Sequence, residues 1–91
     1  MTQLALYTTS HCHLCEQALA LLVSTKQQYA IDWLTIEISD DDKLIDKYGI
    51  KIPVLQRVDN QAELNWPFSA DDIVMLISAQ LFTIFKTYYI N

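Results

Sequence analysis

The sequence predicts an α/β fold of order β-α-β-α-β-β-α, and three observations carry that prediction. Short apolar or alternating runs occupy 4–8, 31–38, 53–58 and 62–66. Between and after them, apolar residues recur at helical spacing from His13 and again from Ile73. The single glycine ends one helical stretch just before a proline opens a strand. Two strands joined by a helix are expected to pair in parallel with a right-handed crossover, and the last two strands as an antiparallel hairpin. The result is a four-stranded mixed sheet with helices on both faces. With 91 residues the chain makes one domain.

Each element has its own grounds. "LALYT" (4–8) reads as a buried strand. Leu14, Ala18, Leu21 and Leu22 form one stripe of a helix over 13–28, with Gln17, Ser24 and Gln28 opposite. "IDWLTIEI" (31–38) alternates, with Leu34, Ile36 and Ile38 on one face. Ser39 is expected to cap a short helix whose first turn carries Asp40, Asp41 and Asp42, acids suited to the positive end of the helix dipole. A cation site is the weaker reading, because a calcium loop needs alternating ligands and a glycine turn. Leu44, Ile45 and Tyr48 should face inward, and Gly49 should take the left-handed position that ends the helix. "PVLQRV" and "AELNW" are joined around Asp59-Asn60, a pair that tolerates the positive φ of a tight turn. Ser69 and Asp72 form a capping box, Phe68 staples onto Ile73, and the stripe continues through Ile77, Leu81, Ile84, Phe85 and Tyr88.

Composition narrows the function. At 52% hydrophobic and 19% charged, the chain has material for a core and is no disordered tail. A net charge of -5, with six basic residues scattered from Lys26 to Lys86, argues against nucleic acid and anionic membranes as partners. "MTQLALYTTS" lacks the basic start of a signal peptide, and no run reaches the roughly 20 apolar residues that span a bilayer. The expectation is a cytoplasmic protein.

"SHCHLC" (10–15) holds both cysteines and both histidines of the chain. In a reducing compartment, over so short a loop, a structural staple is the weakest reading. Cys12 falls between the first strand and the first helical turn, where unpaired amides and the dipole favour thiolate. It should be the exposed, attacking sulfur, and Cys15, one turn in, the sheltered, resolving one. An imidazolium at His13, and to a lesser degree at His11, would stabilise the thiolate further; the plain alternative is that both are solvated. C-x-x-C is only half of a tetrahedral zinc site, and six consecutive residues do not easily wrap one ion, so no resident metal is expected. A soft metal, or one shared between two chains, is the alternative. Glu16 reads as a favourable charge in the first helical turn.

"CHLC" after a first strand, with "YGIKIPVL" some forty residues later, resembles the thioredoxin superfamily, and the order of elements is similar to its glutaredoxin branch. The resemblance covers essentially the whole chain. It implies a cis proline at Pro53 beside the cysteines, with the backbone of Ile52 pairing with a bound substrate. It implies Cys12 as nucleophile and Cys15 as resolving thiol in disulfide exchange with a protein or a small disulfide, with no prosthetic group. Two departures stand out. His13-Leu14 replaces the usual Pro-Tyr, and "LNWPFSADD" replaces a Gly-Gly turn and its following Asp. Trp66 then lines the substrate rim, and Asp71 or Asp72 is left to meet a glutathione amino group or to serve the helix start. The pattern is similar to a small glutaredoxin-like group with C-x-x-C and W-P-F. Glutathione stays open as co-substrate, a monomer is expected, and the rival readings are a metal or iron–sulfur carrier and an adaptor with Tyr89 and Ile90 as contacts.

Overall fold

The computed structural model describes residues 2–78. Its elements are β1 (Thr2–Thr8), α1 (His13–Lys26), β2 (Ile31–Glu37), α2 (Asp42–Tyr48), β3 (Val54–Arg57), β4 (Glu63–Asn65) and α3 (Ala70–Ile77). They form one mixed sheet of order β2-β1-β3-β4. β1 and β2 pair in parallel from Thr2↔Ile31 to Thr8↔Glu37. β3 runs antiparallel to β1, with Val54 against Tyr7, and β4 antiparallel to β3, with Asn65 against Val54. These registers bring the loops after β1, β2 and β4 and the loop before β3 to one end of the sheet. Candidate chemistry collects there.

Alternation along the strands divides the core. Leu4, Leu6, Ile31 and Leu55 face α1 and α3, where they meet Ala18, Leu22, Phe68, Ile73 and Leu76. Each such fully buried Leu or Ile stabilises the fold by ~1.5–3 kcal/mol. The opposite face carries a smaller cluster of Ile38, Tyr48 and Val54, flanked by Tyr7, Leu44 and Ile52, under α2. Leu34, Ile36 and Ile38 do share that second face, but α2 covers only its end, so Leu34 remains 64% exposed. Leu14 is likewise exposed, because the stripe of α1 that faces inward runs through Cys15, Ala18, Leu22 and Thr25, and Leu14 lies one residue off it.

Four local expectations need correction. Asp41, not Ser39, caps α2, its carboxylate accepting the Lys43 amide at 2.9 Å. Among Ser39 and three successive acids, the one with its oxygen under the free amide takes the position. Ile45 faces solvent, while Leu44 and Tyr48 pack inward. Gly49 is right-handed (φ -52°, ψ -38°), and what it accommodates is a close approach: a Cβ there would stand 2.5 Å from the Ile45 carbonyl oxygen. In the β3–β4 turn, the positive φ falls on Gln61, whose amide donates to Arg57 O at 2.8 Å. Asn60 instead accepts the Ala62 amide through its side chain at 2.9 Å.

The α3 start matches its sequence closely. Ser69 Oγ accepts the Asp72 amide at 3.1 Å, and Asp72 Oδ2 accepts the Ser69 amide at 2.8 Å. Phe68 and Ile73 are both buried in the same cluster, as a hydrophobic staple requires. At the far end, the buried Arg57 donates to the carbonyls of Leu76 and Ile77 at 3.1 and 2.7 Å and pairs with Asp59, which is thereby held ionised below the usual carboxylate range. The stripe beyond Ser78 (Leu81, Ile84, Phe85, Tyr88) and the contacts assigned to Tyr89 and Ile90 lie outside the described residues. Among the described residues no helix is long and apolar enough to cross a membrane.

Candidate redox site

β1 ends at Thr8, and the chain turns through Thr9, Ser10 and His11 into α1. His11 has φ 60°, an uncommon conformation for a residue with a side chain. Cys12 follows in extended conformation as the N-cap of α1. The Cys15 amide donates to its sulfur at 3.2 Å. Sulfur thus takes the place that an oxygen commonly holds at a helix start. Amide and dipole together favour negative charge on that atom.

Cys12 and Cys15 are joined as a disulfide, with Cα atoms 5.2 Å apart, inside the ~4.4–6.8 Å that such bonds span. Cys15 is only 5% exposed, whereas Cys12 is half-buried. The order of exposure is the one the spacing predicts. His13 is on the surface, its Nδ1 3.7 Å from Glu16 Oε2, and His11 is exposed in the loop. Glu16 is therefore placed as a surface acid of the first turn, next to a histidine as well as to Cys15.

The Ile52–Pro53 bond is cis, and so is the Trp66–Pro67 bond of the W-P-F run. Pro53 is fully buried one position before Val54, so the antiparallel register carries it toward Thr8 and the cysteine loop. Trp66 is half-buried, edge-on to Phe68 with ring centres 5.0 Å apart. Asp72 is engaged in the capping box, and Asp71 is exposed beside it in the first turn of α3. The sheet order puts all of these on the β3–β4 flank of the cysteines.

The opposite flank holds something the sequence did not announce. A pocket of about 200 Å³ touches both Cys12 and Cys15 and is lined by Leu6, Thr8, Thr9, His11, Glu16, Leu19 and Thr35. None of Ile52, Pro53, Trp66, Asp71 and Asp72 reaches it. Beside it, Glu37 at the end of β2 accepts hydrogen bonds from Ser10 Oγ at 3.1 Å and from the Ser39 amide at 3.2 Å. The Thr9 hydroxyl, the Ser39 amide and the Ser39 and Ser10 hydroxyls hold its carboxyl down at about 2. The run "TTS" (8–10) just before the cysteine motif is the one sequence trace of this arrangement. Among the described residues no group of three or more His, Cys, Asp or Glu side chains is placed to hold a metal ion.

A family model described as the Glutaredoxin-like domain (DUF836) matches residues 3–78. The chain belongs to this family. Solved structures share its fold. This glutaredoxin-like domain is 34% identical to a structural-genomics target protein from X. campestris, over 84% of this chain and 96% of that one, with a TM-score of 0.73. A protein from Nitrosomonas europaea is 28% identical over 87% and 89% of the two chains, at a TM-score of 0.71. Thioredoxin 1 from Thermosipho africanus, 15% identical over 89% and 96%, shares the fold at a TM-score of 0.64. No curated protein matches the sequence. The glutaredoxin-like domain thus carries its C-x-x-C pair on a thioredoxin fold.

Proposed function

We propose that this glutaredoxin-like domain is a thiol–disulfide oxidoreductase that uses Cys12 as nucleophile and Cys15 as resolving thiol. The observation that carries the reading is the pair itself: an accessible sulfur at the N-cap of α1, bonded to a sheltered one a turn later. In the reduced protein the Cys12 thiolate attacks one sulfur of a substrate disulfide and the other leaves as thiolate. Cys15, losing its proton, then attacks Cys12; the substrate's second sulfur departs, and the Cys12–Cys15 disulfide remains. Two external thiols, or one dithiol, return the pair to its starting state and leave as a disulfide.

Substrate contact falls on the β3–β4 flank. The pairing with an extended substrate segment is assigned to the carbonyl of Ile52, whose amide already donates to Tyr48 O at 3.1 Å, and the apolar rim at Trp66 suits a protein disulfide. Asp71, exposed in the first turn of α3, is the acid assigned to meet an amino group, whereas Asp72 is committed to capping. His13 and His11 supply positive charge near the thiolate when protonated. The protein acts as a cytoplasmic monomer, needs no resident metal or prosthetic group, and draws electrons from glutathione or a dedicated reductase.

A redox titration of metal-free protein in glutathione buffers, on wild type and Cys15→Ser, tests this. The expected result is a reversible two-electron transition in the wild type. A glutathione adduct trapped on Cys12 in the variant identifies glutathione as a reaction partner; a transition without an adduct assigns the electrons to a protein reductase. Absence of any reversible transition overturns the proposal in favour of metal carriage or an adaptor role.

A further inference from the structure

We propose that Glu37 is a positioning residue for the nucleophile: it holds the Ser10–His11 turn in the conformation that seats Cys12 at the start of α1. The role rests on the reading of Cys12 as an attacking thiol. Glu37 lies at the end of β2, in register with Thr8 at the end of β1. Its Oε1 accepts from the Ser10 hydroxyl and its Oε2 from the Ser39 amide, at 3.1 and 3.2 Å. One carboxylate therefore joins the β1–α1 loop to the β2–α2 loop, across a sequence distance of 27 residues. Charged acceptors make the stronger hydrogen bonds, and this one stays charged over the range in which thiols react.

What the tie restrains is the next residue. His11 sits at φ 60°, where a Cβ crowds the backbone and the conformation persists only if its surroundings hold it. Directly after it, Cys12 takes φ -100° and ψ 106°, the extended geometry that aims its sulfur at the Cys15 amide. Released at Ser10, His11 relaxes to negative φ and Cys12 turns out of the N-cap. The thiolate then loses both the amide and the dipole that favour it.

The sign of the effect separates this role from a simpler one. A carboxylate acting only as a nearby charge disfavours a thiolate, so its removal would ease ionisation of Cys12. Positioning predicts the reverse. The measurement is the pH dependence of Cys12 alkylation in the reduced Cys15→Ser background, where Cys12 is the sole thiol. Glu37→Ala is expected to raise the apparent pKa of Cys12 and to slow alkylation near neutral pH by about five- to tenfold, and Ser10→Ala, which leaves the Thr9 hydroxyl on the carboxylate, to act in the same direction by less. Adding His11→Gly to either is expected to restore the rate toward that of His11→Gly alone, since glycine takes positive φ without strain.

Faster alkylation in Glu37→Ala with no change in Ser10→Ala overturns the proposal and leaves Glu37 as a bystander charge. Unchanged rates in both also overturn it. Should Glu37→Ala fail to fold, Ser10→Ala and its glycine rescue carry the test alone. A parent Cys12 no more reactive than a free thiol would overturn the redox reading itself, and a reactive parent with unaltered variants only the role of Glu37.

Discussion

Two helices begin at the same end of the sheet and spend their free amides differently. α3 opens with Ser69 and Asp72, each accepting the other's backbone amide, so its first turn is closed by the protein's own oxygens. α1 opens with Cys12, and a sulfur receives the Cys15 amide. The dipole is the same at both starts. At α3 it fixes the helix behind the Phe68 staple; at α1 it is left to act on a thiol. A helix start can serve stability or reactivity according to which atom caps it.

Replacing the reactive cap should break the difference most completely. Cys12→Ser gives α1 an oxygen cap like that of α3; exchange activity is expected to vanish, while stability against the reduced wild type stays equal or rises by up to ~1 kcal/mol in urea unfolding. Next in size is the staple: Phe68→Ala removes a buried ring and should cost ~3–4 kcal/mol by the same assay. Ser69→Ala is expected to cost ~1 kcal/mol without altering Cys12 alkylation, which would sharpen the contrast between the two starts. The smallest effect is acid-dependent. Glu37 has its pKa depressed from 4.5 to about 2, so its contribution is complete above its unfolded value and lost as pH falls through about 2. Stability of wild type over Glu37→Gln should narrow across that window in an acid titration.

Most of this contrast was legible in the residues. Ser69, Asp72, Phe68 and Ile73 carry local rules that depend only on spacing, and the structure follows them. Cys12 and Cys15 are read equally well, because their order of exposure follows from one turn of helix. The α2 start was not: with Ser39 and three acids in a row, the choice of cap depends on where β2 ends. Gly49 misled because a glycine after a helix has two uses, positive φ and close approach, and here the second applies. Exposed Leu34 reflects how far α2 reaches over the sheet, a tertiary matter that alternation cannot disclose. Glu37 stayed hidden as an ordinary strand residue. Its partners Ser10 and Ser39 sit on different loops, and only the parallel register of β1 and β2 brings them to one carboxylate.

The position of β1 has a consequence for how the molecule breathes. Among the described residues β2 and β4 each have one neighbour, whereas β1 is hydrogen-bonded along both sides, to β2 and to β3. Partial opening of a sheet begins where fewest bonds and contacts must be given up, at its margins. Of the two margins, β4 is paired over three residues and β2 over seven, so β4 and its loop can fray and rearrange around a docking partner while β1, and the end of β2 that carries Glu37, stay seated. The nucleophile hangs from the last part of the sheet to let go.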